Sequence, residues 1–302
     1  MSSEIMSQEL RGAPVAKAIT EELATQVQEL RAQGVTPKLV IVRIGQKSDD
    51  LTYERAAYTR AEKVGFEVET IELPEDATQE QVNATFDQVS ADVLVHGCLP
   101  MRPFPAGIDE HEALQHLVPE KDVDCATDSM LLATLCGTPS ALGPCTAEAV
   151  LALLDFYQVP LEGASVAVVG RSNVIGRPVA ALLSARNATV TVCHSKTKDL
   201  AATLKQTEIV VVAAGRAHLI GADCVRAGQT IVDVGINWDE AAQKLVGDVN
   251  TEQVAPLVSA YTPVPGGVGS VTTAILARHV VAAAQKNACI RVKGRFPHGS
   301  GK

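Results

Sequence analysis

The chain has 302 residues, of which 46% are hydrophobic, 20% charged and 3% aromatic, and its formal net charge is −9. This length predicts two domains with a sizeable core, and the acidic balance argues against nucleic acid as the main partner. No apolar run is long enough to span a bilayer, and the polar N-terminal segment does not resemble a signal peptide. The seven cysteines show no CxxC spacing. This pattern indicates reduced thiols in a cytoplasmic protein, with neither disulfides nor a metal site.

The first half of the chain alternates helix and strand signals. Apolar periodicity predicts helices at about 13–33, 50–63 and 78–89, and strands at 38–43, 67–72 and 93–96. This alternation is typical of a parallel α/β sheet. A proline-rich loop at 99–105 follows the third strand and is either a wall of a ligand site or an ordinary surface loop.

The second half begins a new series of strands. They are predicted at 165–170, 189–193, 209–213, 230–234 and around Tyr261, with helices between them. After Thr272 the pattern predicts a long helix rich in Ala and Val to about Lys286. The final segment, 293–302, is predicted to be a disordered tail.

A glycine-rich turn joins the first of these strands to a helix. Segment 170–178 reads Gly-Arg-Ser-Asn-Val-Ile-Gly-Arg-Pro. Glycines at such a turn let the backbone approach a phosphate, and the free N–H groups of the helix start bind the anion. The spacing differs from the common G-x-G-x-x-G, so tight packing alone is the alternative.

The end of the following strand indicates which dinucleotide binds. An NAD site usually carries an acid there for the ribose 2′-OH, but the first acid in this chain is Asp199. Ser195 and Lys196, together with Arg171, are suited to a 2′-phosphate. The sequence therefore favours NADP over NAD. His194 either contacts the same phosphate or is a solvated loop residue.

Two later segments have small residues at positions where a cofactor could pass close to the backbone. They follow the next strands and end at Gly215 and at Asn237. The segment 262–269, Thr-Pro-Val-Pro-Gly-Gly-Val-Gly, precedes the last helix and either cradles a ring or forms a rigid turn between domains.

Seven segments of the chain form a characteristic set. They are, in chain order, 119–124 (PEKDVD), 143–146 (GPCT), 169–178 (VGRSNVIGRP), 188–197 (ATVTVCHSKT), 233–237 (DVGIN), 246–249 (VGDV) and 262–269 (TPVPGGVG). In this order they resemble the methylenetetrahydrofolate dehydrogenase/methenyltetrahydrofolate cyclohydrolase family, the FolD-type bifunctional enzymes. The similarity covers about residues 8–287, and the chain is identified as a member of the family.

The resemblance implies an α/β fold of two domains. The first is an N-terminal αβ catalytic domain that binds folate, made of residues 1–145 and 272–302, to which the C-terminal helix returns. The second, residues 146–271, is a Rossmann-like NAD(P)-binding domain. The resemblance also implies a homodimer, with tetrahydrofolate one-carbon derivatives bound in a cleft between the domains of each subunit.

The resemblance further implies roles for individual residues. Tyr53 matches an aromatic residue that stacks on the aminobenzoyl ring of folate, and Asp124 matches an acid that binds the pterin. Arg171 and Ser195 match the positions that hold the NADP 2′-phosphate. The candidate substrate-binding residues are Tyr53, Asp124, Pro265, Gly266 and Gly267. The candidate cofactor-binding residues are Gly170, Arg171, Ser172, Ile175, Gly176, His194, Ser195, Gly215, Ile236 and Thr273.

The chain departs from the family pattern at the positions assigned to catalysis. Asp50 stands at the family's Ser position, Ala57 at its Lys and Met101 at its Gln, and Ser270 replaces a Pro. Hydride transfer mainly needs the two rings to be aligned. Hydrolysis of the methenyl cation needs proton transfer, which neither Ala57 nor Met101 can supply. We therefore expect the dehydrogenase to survive, with Tyr53, Asp124 and Asp50 as its catalytic-site residues, and the cyclohydrolase to be weak or absent.

Three alternatives stay open at this point. In the first, the enzyme is fully bifunctional, and Asp50, Arg60 or Arg102 supplies the missing group. In the second, the chain is a non-catalytic paralogue that binds folate or nucleotide. In the third, its one-carbon substrate is a modified pterin.

Overall fold

A computed structural model describes residues 7–294, with side chains to residue 288. The chain divides into two compact units. The three-strand unit comprises Ala18–Met130 and Thr273–Lys302, and the six-strand unit comprises Met1–Lys17 and Leu131–Thr272.

The strands, in chain order, are β1 (Gln8–Glu9), β2 (Lys38–Ile44), β3 (Glu67–Leu73), β4 (Gly97–Pro100), β5 (Ser165–Val169), β6 (Thr189–Cys193), β7 (Ile209–Val212), β8 (Thr230–Asp233), β9 (Asn237–Asp239), β10 (Lys244–Val246) and β11 (Ala260–Tyr261). The α-helices are α1 (Gly12–Ala32), α2 (Ser48–Val64), α3 (Gln79–Ala91), α4 (Glu110–Leu114), α5 (Asp128–Leu135), α6 (Cys145–Phe156), α7 (Gly176–Ala185), α8 (Leu200–Lys205), α9 (Thr251–Val254) and α10 (Gly269–Gly294). Two short 3₁₀ helices cover Pro119–Lys121 and Ala222–Cys224.

The three-strand unit contains a parallel sheet in the order β3-β2-β4. Alternate side chains of β2, such as Val40 and Val42, pack in a core with Phe86 of α3. A capping box starts α3: the Thr78 hydroxyl accepts from the backbone N–H of Gln81, and the Gln81 side chain accepts from the N–H of Thr78. Gly65 ends α2 in the left-handed region, with φ of 94°.

The six-strand unit contains a second parallel sheet, in the order β1-β11-β8-β7-β5-β6. Its central strands are apolar and buried, and residues such as Val210 and Val212 of β7, both 0% exposed, lie in its core. Parallel strands covered on both faces read as continuous hydrophobic runs. The strands β9 and β10 form a separate antiparallel hairpin.

The expected class, an α/β fold with two domains and parallel sheets, is confirmed. The last helix packs on the three-strand unit, as expected: His279 of α10 donates from Nδ1 to the carbonyl of Val123 at 2.8 Å. The division of the chain into a folate domain and a cofactor domain at residues 145 and 272 stays a prediction.

The strand predicted at 93–96 is wrong. Those residues form a turn after α3, and the strand lies at Gly97–Pro100. The carboxylate of Asp92 accepts from the backbone N–H of Leu94 at 2.8 Å, which stabilises the turn and leaves Val93 70% exposed. Apolar residues alone therefore placed this strand four residues too early.

The last helix is longer than expected at both ends. It begins at Gly269 and continues to Gly294, because no glycine or proline interrupts residues 271–293. Lys293 and Gly294, predicted as tail, are helical, and the rest of the predicted tail lies outside the described residues. Within residues 7–294, no helix is both long and apolar enough to cross a bilayer.

Candidate active site

The turn between β5 and α7 requires glycine at two positions. Gly170 has φ of 133°, and a Cβ there would lie 2.2 Å from the carbonyl oxygen of Ala213. A Cβ at Gly176 would lie 2.4 Å from the carbonyl oxygen of Gly170. The hydroxyl of Ser172 accepts from the N–H groups of Ile175 and Gly176 at 3.1 and 3.4 Å. The glycines are therefore required by the packing of the turn itself, because they let its backbone pass close to the neighbouring strand ends.

The end of β6 lies beside this turn, because the N–H of Gly170 donates to the carbonyl of Cys193 at 2.9 Å. His194 accepts from the N–H of Lys196 through Nδ1 at 3.1 Å, so its ring is turned to its own loop. Ser195 and Lys196 are exposed, as is Arg171 in the turn.

Asp199, the first acid after β6, is engaged elsewhere. Its carboxylate accepts from the N–H of Ala202 at 2.9 Å and caps the start of α8. The end of β6 therefore presents hydroxyl and cationic groups without a carboxylate aimed at a ribose. This is the arrangement that suits a 2′-phosphate.

A buried carboxylate, that of Asp248, shapes the turn after β7. It accepts from the N–H groups of Ala214, Gly215 and Arg216 at 2.6, 2.9 and 2.8 Å, and from Nδ2 of Asn237 at 2.9 Å. Gly215 has φ of 64°, and a Cβ there would meet no atom within 4 Å. The Asp248 carboxylate thus fixes the backbone of this turn, and the space on the Cβ side of Gly215 is open.

Asp233, at the end of β8, is the second buried carboxylate. It accepts from the N–H groups of Gly235, Asp248 and Val249 at 2.9, 3.1 and 2.9 Å. Burial raises the pKa of Asp233 to about 7, and the charge of Asp248 adds to this, although the three N–H donors act in the opposite direction. A Cβ at Gly247 would lie 1.9 Å from Oδ2 of Asp233, so only glycine fits there.

A cleft of about 190 Å³ lies between the segment after β8 and the loop before α10. Ile236, which is 62% exposed, lines it, together with Pro265, Gly266 and Gly267. The loop is held by the N-terminal segment: the N–H of Gly12 donates to the carbonyl of Gly266 at 2.8 Å. The cleft is apolar with exposed backbone, which suits a flat ring.

In the three-strand unit, one face of α2 carries the residues predicted to contact substrate. Asp50, Tyr53, Ala57 and Arg60 lie at helical spacing. Tyr53 is half-buried and Ala57 is 1% exposed. Burial raises the pKa of Asp50, the charge of Lys47 lowers it, and Asp49 raises it again.

A buried arginine anchors α2 to the sheet. Arg43 of β2 donates from Nε to Glu54 of α2 at 2.9 Å and from Nη2 to Glu72 of β3 at 3.0 Å, and also contacts the carbonyl of Gly45. Glu54 also accepts from the hydroxyl of Thr70 at 3.0 Å. This network fixes the helix that carries Tyr53.

Asp124 lies within a turn that the side chain of Asp122 holds. The buried carboxylate of Asp122 accepts from the N–H groups of Asp124, Ala126 and Thr127 at 3.3, 2.9 and 2.8 Å. Lys121 caps the end of α3, donating to three backbone carbonyls at 2.6 to 2.8 Å. Burial lowers the pKa of Lys121.

Met101, directly after β4, is 6% exposed, and its N–H donates to the carbonyl of Val42 at 2.8 Å. Arg102 forms an ion pair with Glu110 at 3.5 Å. Arg60 is half-buried and donates to the hydroxyls of Thr20 and Thr273. Neither arginine is a solvated side chain without partners.

The candidate residues thus fall into two groups. Except for Thr273, the candidate cofactor residues lie in the six-strand unit, with Pro265, Gly266 and Gly267 of the substrate set. Asp50, Tyr53, Asp124 and Thr273 lie in the three-strand unit. No role was predicted from the sequence for Asp233, Asp248, Lys121 or Arg43. The signal for the first two was a glycine close to each acid in 233–237 and 246–249.

Comparison with known proteins identifies the family. Residues 10–124 match the catalytic domain of tetrahydrofolate dehydrogenase/cyclohydrolase, and residues 144–288 match its NAD(P)-binding domain. The chain is 46% identical over 274 residues to the bifunctional protein FolD of Clostridioides difficile (strain 630), covering 91% of this chain and 95% of that protein.

Two solved structures agree with this match. The bifunctional FolD enzyme of Campylobacter jejuni is 36% identical, with a TM-score of 0.90 over 93% of this chain and 99% of that one. The Trypanosoma brucei enzyme, complexed with NADP cofactor and inhibitor, is 34% identical, with a TM-score of 0.86 over 93% and 98%. With both domain models matched in order, the chain belongs to the tetrahydrofolate dehydrogenase/cyclohydrolase family.

Proposed function

We propose that this chain is an NADP-dependent 5,10-methylenetetrahydrofolate dehydrogenase whose methenyltetrahydrofolate cyclohydrolase activity is weak or absent. The observation that carries the first part is the end of β6, where Ser195 and Lys196 are exposed and the nearest acid, Asp199, caps its own helix. The observation that carries the second part is the pair Ala57 and Met101, both buried and both unable to transfer a proton.

The residues of the six-strand unit fit NADP. Arg171 and Ser195 would hold the 2′-phosphate, with His194 beside it. The backbone of the turn between Gly170 and Gly176 would face the pyrophosphate, because these glycines set its close path. The N–H groups of Gly176 and Arg177, which start α7, are already bonded to Ser172. Gly215 would let the cofactor pass over open backbone. When bound, the nicotinamide ring supplies the hydride acceptor.

The chain's own part in the oxidation is to orient the substrate. Tyr53 would stack on the aminobenzoyl ring, and Asp124 would bind the pterin. The Arg43–Glu54 ion pair would keep Tyr53 in position by fixing α2. The Pro265–Gly267 segment would offer flat backbone to a ring. No side chain has to remove a proton in this step, so the loss of a titratable group at position 57 leaves it possible.

Hydrolysis of the methenyl product makes different demands. Water must lose a proton as it adds to the cation, and a ring nitrogen must gain one as the ring opens. A positioned acid–base group contributes about 10²- to 10⁴-fold to such a step. The side chains at positions 57 and 101 supply neither group.

The second candidate is a fully bifunctional enzyme, and the raised pKa of Asp50 favours it. A half-buried carboxylate of raised pKa is a better general base than an ordinary one. The named relatives in Clostridioides difficile and Campylobacter jejuni are bifunctional. A non-catalytic folate or nucleotide binder, or an enzyme for a modified pterin, has no such observation in its favour.

We further propose a domain division, an oligomeric state and a location for this chain. Residues 1–145 and 272–302 form the folate-binding domain, and residues 146–271 the cofactor-binding domain. The chain works as a homodimer. It acts in the cytoplasm.

The test supplies purified protein with methylenetetrahydrofolate and either NADP or NAD, and follows reduced cofactor and methenyl product separately. A second cuvette contains methenyltetrahydrofolate alone. We expect reduction of NADP faster than of NAD, with methenyl product lost no faster than in buffer. Hydrolysis above the buffer rate would favour the bifunctional candidate, and no reduction of either cofactor would contradict the proposal. Light scattering gives the oligomeric state.

A further inference from the structure

Half-buried Arg60 of α2 differs in its partners from Arg43, the buried arginine of β2. Arg43 is neutralised by two carboxylates, those of Glu54 and Glu72. Arg60 donates from Nη1 to the hydroxyl of Thr20 at 2.5 Å and from Nε to the hydroxyl of Thr273 at 3.3 Å, and both acceptors are neutral.

Burial lowers the pKa of Arg60, and within the described part of the chain no charged group opposes this effect. A half-buried guanidinium with only neutral protein partners destabilises the fold, because its charge is partly desolvated and not neutralised. Since its fork has five N–H donors, two hydroxyls leave it unsaturated. The structure therefore holds a cation ready to receive an oxygen acceptor.

Helix α10 fixes this cation and the Asp124 segment on one support. Thr273 of α10 accepts from Arg60, and His279 of α10 donates from Nδ1 to the carbonyl of Val123, next to Asp124. The two α10 residues are six positions apart, which is about 9 Å along a helix. The points on α10 that anchor the guanidinium and the turn containing Asp124 are thus separated along the helix axis by about the length of a ring system.

The spacing of Arg60 from Tyr53 along α2 also matches the length of a ligand ring system. Arg60 lies two turns beyond Tyr53 on the same face, about 10 Å along the axis. If an aminobenzoyl ring stacks on Tyr53, a second ring system that extends the ligand towards the C-terminal end of α2 reaches the level of Arg60.

The pterin of a reduced folate has a matching edge. Its pyrimidine ring presents an amino group and a ring N–H as donors, and next to them a 4-oxo group as an acceptor. A carboxylate suits the two donors, and a guanidinium suits the oxygen.

We propose that Arg60, held by Thr20 and Thr273, is the specificity-determining residue that recognises the 4-oxo group of the pterin. The inference deepens the proposed function and rests on it for the identity of the ligand. A substrate with an amino group in place of the oxygen would turn a donor towards the guanidinium and would be rejected.

The test is a double-mutant-type cycle that compares the binding of two ligands to two proteins. Dissociation constants are measured anaerobically for tetrahydrofolate and for its 4-amino counterpart, with the full-length wild type and with Arg60→Met. We expect the wild type to prefer the 4-oxo ligand, and Arg60→Met to lower that preference about tenfold or more, the range for a hydrogen bond to a charged group. Effects of the amino group on the ligand itself are common to both proteins and cancel.

Arg55→Met is the matched control, because Arg55 lies on the exposed face of α2 and bonds only within its own helix. It should leave the preference unchanged. Arg60→Gln keeps a donor without the charge, should lower the preference by less, and replaces the methionine variant if that fails to fold.

A purely structural role for Arg60 predicts equal weakening of both ligands, and this result would overturn the inference. Binding of neither pterin by the folded wild type would overturn it as well. If the wild type prefers the 4-oxo ligand and Arg60→Met loses the preference, but no cofactor is reduced in the activity assay, the inference stands and the proposed function fails.

Discussion

Asp233 and Asp248 are linked directly: the backbone N–H of Asp248 donates to Oδ1 of Asp233 at 3.1 Å, and both side chains are at most 2% exposed. Each carboxylate also accepts from the N–H groups of other segments. For Asp248 these donors are Ala214, Gly215 and Arg216, which follow β7. Together the two acids tie the ends of β7, β8 and β10 beneath the cleft that Ile236 lines.

The first prediction concerns Asp248→Asn. The amide places its own N–H₂ where an oxygen now accepts from surrounding donors, so buried N–H groups lose a partner. We expect the free energy of unfolding in urea to fall by ~2–4 kcal/mol. Asp76→Asn, at an exposed loop position, is the control and should change it by less than ~0.5 kcal/mol. Equal stability of the two variants would contradict the prediction.

The second prediction is a pH dependence carried by Asp233. Burial raises the pKa of this group to about 7 in the folded chain, against ~4 when unfolded. The folded state therefore binds the extra proton, and the stability that this gives is complete below pH ~4 and is lost as the pH rises through 7.

This dependence is measured by comparing wild type with Asp233→Asn, which cannot titrate, by urea unfolding from pH 4 to pH 8. The stability of the wild type relative to the variant should fall across this range by a few kcal/mol, at most ~4. Parallel curves for the two proteins would show that Asp233 titrates normally.

The third prediction restores hydrolysis. The double variant Ala57→Lys, Met101→Gln introduces an ammonium group and an amide at the positions where the proposal finds none. We expect methenyltetrahydrofolate hydrolysis to rise by about 10²-fold or more above that of the wild type. Ala56→Lys with Met101→Gln is the control, because Ala56 is exposed beside Ala57 on the same helix. A rise in the control variant as well would mean that general charge, and not position 57, is responsible.

The fourth prediction addresses the choice of cofactor. Arg171→Ala with Ser195→Ala removes both groups proposed for the 2′-phosphate, so kcat/KM for NADP should fall about 10- to 100-fold while that for NAD changes little. Lys198→Ala is the control, since Lys198 is an exposed cation in the same loop. Equal losses for NADP and NAD would point to damage of the turn and not to loss of a phosphate contact.

The order of helices and strands was predictable because the chain alternates strongly apolar strands with periodic helices. Strand β6 was predicted with its observed bounds, Thr189–Cys193. The strand at 93–96 was misplaced because the side chain of Asp92 stabilises a turn that apolar periodicity cannot report. The last helix starts at Gly269, earlier than expected, because glycine is a poor helix former and the glycines there gave no helix signal.

The candidate site was predictable only where its chemistry depends on residue type. The sequence alone shows that no acid directly follows β6. Only the structure shows that Asp199, the first acid after this strand, caps α8. The partners of Arg60, on α1 and α10, lie far from it in the sequence. Local patterns contain no information about which distant hydroxyl a guanidinium will reach, so the role proposed for Arg60 in pterin recognition depends on contacts that only the structure gives.

Pairing of β1 with β11 has a consequence for the order in which the protein can form. Gln8 leaves the ribosome long before its partner Ala260 is made. The same holds for Gly12 and the carbonyl of Gly266 that it bonds. Contacts between such distant segments form slowly. During translation, the edge of the six-stranded sheet therefore stays unpaired, and Gly12 stays without its partner, until β11 and the Pro265–Gly267 segment have emerged.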